Sequence, residues 1–203
     1  MKLATMAVLW GTVCFSAAAS AASGSLQLGV IADSKLEDEN YGFEADGDGF
    51  SVNASVSPAD TGLMFFVGYL GREYEDILDV KQTRLGAGWS GVNDRLGFWA
   101  GINYEKLADN SSDANGLGFR GGLSLAVAER LTVYGELGSY VLSGDGADVT
   151  GGEFSIGLAF EATAEVALFA DVRAQALEFE YDSGDPNDEF SIVDLRVGVG
   201  FFF

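Results

Sequence analysis

Histidine is absent from the 203 residues, cysteine occurs once and proline twice. Without an imidazole the chain lacks the side chain most often used as a general acid or base near neutral pH. The single cysteine, Cys14, lies in an apolar stretch at the N-terminus, so no disulfide braces the rest. Cations are also few: 11 Lys and Arg stand against 31 Asp and Glu, a formal net charge of -20. Nucleic acid is thereby disfavoured as a partner, because phosphate binding needs clustered Lys and Arg. Beyond the N-terminus no run approaches the ~18 to 20 continuous apolar residues of a transmembrane helix. What is present excludes a disordered acidic chain, since 48% apolar and 12% aromatic residues are too many for one.

The opening residues, MKLATMAVLWGTVCFSAAASAASG, have the order of a secretory signal peptide: Lys2, an apolar run from Leu3 to Phe15, then small residues. Cleavage is expected between Ala19 and Ser23, which makes residues 1–23 a removed signal and 24–203 one mature domain. Val13 before Cys14 does not fit a lipoprotein cleavage site, so the sole cysteine leaves with the signal. Export without a helical anchor leaves secretion, the periplasm or the outer membrane.

From residue 25 on, stretches of about ten residues alternate in polarity and are separated by turn residues. In the last stretch Leu195, Val197, Val199, Phe201 and Phe203 share one face, and Asp194, Arg196, Gly198 and Gly200 the other. A period of two means strand. The same pattern places Phe50, Val52, Ala54 and Val56 on one face, and likewise Leu96, Phe98, Ala100, Ile102 and Tyr104. Less regular stretches near 25 to 35, 63 to 74 and 80 to 90 bring the count to ten strands, with eight as the alternative. Short connections (PAD at 58–60, GVND at 91–94, AER at 128–130, EATA at 161–164) alternate with mostly longer, acidic ones such as LEDENYGFEADGDG and YDSGDPNDE. The expected fold is all-β: a transmembrane antiparallel up-and-down barrel, with both termini at its tight-turn end.

Alternation alone does not say which face is wet, because a soluble barrel also alternates. The polar face decides. It is dominated by Gly, Ser and Ala, with ten charges near mid-strand: Arg72, Arg84, Glu105, Arg120, Glu136, Glu153, Asp171, Arg173, Asp194 and Arg196. Five are positive and five negative, at similar heights above the tight turns. Such a balance suits an enclosed lumen, where buried charges must be paired. Glu105, on the strand between those of Arg84 and Arg120, is expected to pair with both. Inward-facing Phe66, Trp99, Tyr134, Tyr140 and Phe169 would help to fill the interior. The apolar face then meets lipid, and Phe201 and Phe203 fall in the aromatic girdle at one rim.

The final strand, Leu195, Val197, Val199, Phe201 and Phe203, resembles the C-terminal signal of bacterial outer-membrane barrels. That resemblance implies recognition by the barrel-assembly machinery during insertion. The motifs TRLGAGW, GLGFRGGLSLAVAERLTVYGELGSYVL and RVGVGF, with a turn bearing Arg130 ahead of an apolar strand and YGE, resemble the YfaZ family across roughly residues 62 to 203. More generally the chain is similar to small OmpA-like barrels. These resemblances imply a small outer-membrane barrel and supply no catalytic residues.

Two stretches have dinucleotide-binding glycine spacing, GAGWSG from Gly86 and GLGFRG from Gly116, but the motif needs a strand before it and a helix after it. Lumen-facing glycines that make room for Trp99 and the arginines are the better reading. In EADGDG, residues Glu44, Asp46 and Asp48 take the first ligand positions of a calcium loop. Ser55 stands where an EF-hand needs a bidentate Glu, leaving a weak divalent-cation site or a solvated loop as the readings. No catalytic group and no cofactor is expected: the omptin proteases and barrel phospholipases rely on histidine, and no nucleophile accompanies the carboxylates Glu136 and Glu153.

The sequence therefore predicts a monomeric barrel of the Gram-negative outer membrane, in contact with its lipid and lipopolysaccharide, with a charge-plugged lumen and a structural or surface-interaction role. A narrow, porin-like, cation-preferring channel and a secreted soluble binding barrel are the alternatives.

Overall fold

In a computed structural model of the chain, the residues described are 23–38, 40–58, 62–75, 78–110, 112–144, 146–181 and 187–203. The expected signal peptide lies outside them, apart from Ser23. Ten strands form: β1 (Ser23–Asp38), β2 (Phe43–Ser57), β3 (Leu63–Tyr74), β4 (Leu78–Asn93), β5 (Leu96–Ala108), β6 (Asp113–Ala128), β7 (Leu131–Gly144), β8 (Ala147–Glu161), β9 (Val166–Tyr181) and β10 (Asp188–Phe202). Each pairs antiparallel with its neighbours in sequence, and β1 pairs with β10 to close the barrel. Closure leaves no strand edge, which is the condition for a sheet to lie in lipid.

The wall is apolar outside over its lower and middle height. Phe98, Ile102, Leu117, Leu137, Ile156, Leu168 and Leu195 are among its exposed side chains. On β5 this band runs from Leu96 to Tyr104 and ends at the exposed Lys106. Eight steps of about 3.3 Å, tilted by about 40°, span about 20 Å, close to the hydrocarbon band of such barrels. At the lower rim the last residues are tied down: Gly24 and Phe203 exchange backbone hydrogen bonds of 2.6 and 3.1 Å. Phe201 and Phe203 point outward there, with Phe203 75% exposed.

Above that band the strands continue, and the expected long acidic connection over 36–49 is mostly strand. β1 runs to Asp38 and β2 begins at Phe43, with Glu37 opposite Glu44 and Lys35 opposite Asp46. The 181–189 segment also contributes to strands, Tyr181 ending β9 and Asp188 opening β10. Ladder pairing with already formed neighbours overrides the poor strand propensity of acidic residues. Of the acidic connection residues, Glu39, Asp76, Asp145, Asp182 and Asp185 lie outside the described residues.

Along β9 the outward residues change from Val172, Ala174 and Ala176 to Glu178 and Glu180, while the inward ones change from Asp171, Arg173 and Gln175 to Leu177 and Phe179. On β10 the outward pair Glu189 and Ser191 gives way to Val193, Leu195 and Val197, and the inward Ile192 to Asp194 and Arg196. The apolar side chains thus change from the outer to the inner face at the top of the apolar outer band. In β1 the inversion uses a bulge. The register shifts between Ile31 and Asp33, so that Lys35 and Glu37 face out while Ser34 and Leu36 face in.

Candidate functional site

All ten mid-strand charges point into the lumen and are buried. They sit on eight consecutive strands, β3 to β10, and pair both between neighbouring strands, as in Arg84 with Glu105 and Arg196 with Asp171, and across the barrel. Arg72 of β3 grips Asp194 of β10 with two bonds, Nε to Oδ1 at 3.0 Å and Nη2 to Oδ2 at 2.7 Å. Ser34 of β1 donates to the same carboxylate at 2.8 Å. Lower down, Arg196 Nε donates to Asp171 Oδ1 at 2.6 Å, and Tyr134 donates its hydroxyl to Asp171 Oδ2 at 2.7 Å.

The centre of the layer is Glu153. Its carboxylate receives Arg84 Nη2 at 2.6 Å, together with Arg120 and Arg173. Glu105 pairs with Arg84 at 3.0 Å and accepts from Asn103 and Gln82. Arg120, expected to pair with Glu105, makes its ion pairs with Glu153 and, at 3.9 Å, with Glu136. The register gives the reason. Glu105 lies directly opposite Arg84 across β4 and β5, but opposite Gly116 on β6. Arg120 is four residues further along that strand, in a rung with Gly138 and then Glu153. Gly138 keeps the lane between them open, because a Cβ there would stand 2.9 Å from Glu153 Cγ and 3.2 Å from Arg120 Nε.

Neutral side chains tie the pairs into one layer, and they lay outside the sequence reading. Gln82 Oε1 accepts from Arg173 at 2.9 Å and Gln175 Oε1 from Arg72 at 3.0 Å. The Gln82 to Arg173 link joins β4 to β9, which are opposite walls of a ten-membered ring. Both glutamines share the inward parity of the charges, which is the signal that could have found them.

Apolar groups lie below and above the layer. Below it, Phe66 meets Trp99 edge-on at 5.8 Å between centroids, and Tyr134, Ala159 and Phe169 form a small cluster. A Cβ on Gly122 would enter the Trp99 ring and one on Gly86 the Phe66 ring, so these glycines make room for aromatic side chains. GAGWSG and GLGFRG lie wholly within β4 and β6, with no helix after either. Above the layer Leu36, Val80, Leu107, Leu142, Val149, Leu177 and Ile192 form an apolar cluster with Tyr74 and Tyr140. That cluster was also missed. Its members continue the inward parity past the point where polarity inverts.

Glu44, Asp46 and Asp48 do not converge. They are exposed on the outer face of β2 at alternate positions, about 7 Å apart, and Asp46 faces Lys35 Nζ at 3.3 Å. Among the described residues no group of three potential ligands could hold a metal ion.

No protein-family model matches the sequence, and no curated protein matches it. The YfaZ resemblance therefore rests on the quoted motifs alone. Among solved structures, the chain is similar to Neisserial surface protein A, with 14% identity over 90% of this chain and 97% of that one and a TM-score of 0.43. It is also similar to the translocator domain of the autotransporter NalP from Neisseria meningitidis, with 15% identity, 89% and 88% coverage and a TM-score of 0.46. For the Pseudomonas putida toluene transporter TodX the values are 12% identity, 88% and 68% coverage and a TM-score of 0.38. No residue role is carried over from any of them.

Proposed function

We propose that this chain is an outer-membrane barrel of a Gram-negative bacterium whose lumen is a plug, and that it serves as a rigid scaffold holding an acidic collar and its connections at the outer surface. The observation that carries this reading is the charge layer. Glu153 holds three guanidinium groups from three other strands, and Arg173 reaches Gln82 on the opposite wall. A layer bonded across the full width of the lumen obstructs solute flow and ties the walls together. The apolar outer band, the signal-like N-terminus and the C-terminal Leu195 to Phe203 strand support insertion in the outer membrane. The same exposed band argues against a secreted soluble barrel, which would expose its apolar residues to water.

A narrow channel is the second reading, favoured by guanidinium nitrogens with no hydrogen-bond partner among the described residues, including Nε and Nη1 of Arg173 and Nη1 of Arg72. Such donors call for water, and a thread of water through the balanced layer would conduct small ions, with cations favoured by the acidic residues at the upper end. Single-channel recording of purified protein in planar bilayers separates the two. The plug predicts no stable unitary conductance from the native protein and its appearance in Glu153→Ala. A steady cation-selective conductance from the native protein, unchanged in Glu153→Ala, would select the channel.

A further inference from the structure

At the end of the lumen that carries the β5–β6 and β7–β8 connections lies a cavity of about 440 Å³. That is within the range of sites for small organic molecules. Its wall is aliphatic and aromatic: Leu36, Leu107, Leu177, Ile192 and the edge-to-face pair Phe179 and Phe190, 5.4 Å between centroids. Tyr74 and Tyr140 belong to the same apolar cluster while their hydroxyls bond Ser34 and Gln175 of the polar layer. Both tyrosine hydroxyls are thus bonded beneath the cavity, and apolar surface faces it from above.

Charge narrows the choice of occupant. The lining includes two carboxylates, Asp109 and Asp113, the second of them paired with Lys106 of the outer wall, and no lysine or arginine among the described residues. The three described lysines, Lys35, Lys81 and Lys106, have side chains 46 to 58% exposed on the outer wall and each is paired with a carboxylate. The mouth therefore has a negative field that attracts cations and repels anions. We propose that this cavity is a binding cup for a small amphiphile with an apolar body and a cationic head. The body replaces water against Leu177 and Ile192, and the head stays at the mouth near Asp109. This goes beyond the plug and does not rest on it, since conductance probes the middle of the lumen and the cup lies above.

The test is a titration of the full-length mature protein in lipid nanodiscs, read at the Ile192 methyl resonance, with octyltrimethylammonium, octanol and octanoate as probes. Empty nanodiscs give the correction for partition into lipid. Octyltrimethylammonium should saturate the shift at a concentration at least about tenfold below octanoate, with octanol between them. Leu177→Trp, which fills the cup, should abolish the saturable shift. Should that variant fail to fold, Asp109→Asn keeps the proposal open to refutation. It should weaken the ammonium about threefold and leave octanol unchanged, the size expected of one exposed charge. No saturable shift with any probe, or equal affinity for all three heads, would overturn the proposal.

Discussion

The middle and the upper lumen are built from inward-facing positions of the same strands, two to four residues apart, and they have opposite chemistry. On β9, Arg173 belongs to the charge layer and Leu177 to the apolar cup; on β10, Asp194 and Ile192 divide in the same way. The difference follows from what surrounds the wall at each height. In the middle, under the proposed membrane placement, lipid takes the apolar face, and the inward face is free to be polar because its charges pair with one another. Above, water takes the outer face, so the sheet must bury its apolar side chains inward as a soluble barrel does. One chain thus has an inside-out middle and an ordinary top, and on β1, β9 and β10 the switch marks the upper limit of the apolar outer band.

That contrast can be broken most forcefully at Glu153. Glu153→Ala leaves Arg84, Arg120 and Arg173 without their shared carboxylate, and the expected loss is about 3 to 5 kcal/mol, read as a lower unfolding temperature in detergent. Adding Arg120→Ala should recover part of the loss, since residues in one network are not additive. Purely additive losses would show that the two do not interact.

A smaller effect separates packing from charge within the same layer. Gly138→Ala adds one methyl in the lane between Arg120 and Glu153, and should cost about 1 to 3 kcal/mol by overpacking without removing any charge. The matching change at Gly152, where an added Cβ meets nothing within 4 Å, should be nearly silent in the same unfolding assay. Equal effects at both glycines would mean that the lane is not tight.

Smallest of all should be the ion pairs of the outer collar. Lys106 pairs with Asp113, both side chains nearly half exposed, so Lys106→Ala should change stability by less than about 1 kcal/mol. The unfolding temperature of this variant should also respond less to added salt than that of the native protein. A loss comparable with that of Glu153→Ala would show that the two environments are not as different as burial makes them.

Much of this was legible in the sequence because a strand's period is fixed by backbone geometry. Alternation from Leu195 to Phe203 sets which face those residues share, and ten such stretches with tight turns at one end specify the barrel. The inward placement of all ten charges follows from the same parity. The acidic stretch at 36–49 was harder to read. Its composition signals a loop, whereas its alternation, with Leu36 and Ala45 inward and Glu37, Glu44, Asp46 and Asp48 outward, is that of strands standing in water.

The sequence by itself determined the strands, their two faces and the balance of lumen charge, since each depends on residues near one another in the chain. Only the tertiary structure decided which carboxylate meets which guanidinium. Arg84, Arg120 and Arg173 converge on Glu153 from three other strands, and Gln82 reaches Arg173 from the opposite wall. Those meetings depend on how far each strand slides past the next and on how the ring closes. Slide and closure are properties of all ten strands together, and period two within any single strand is blind to both.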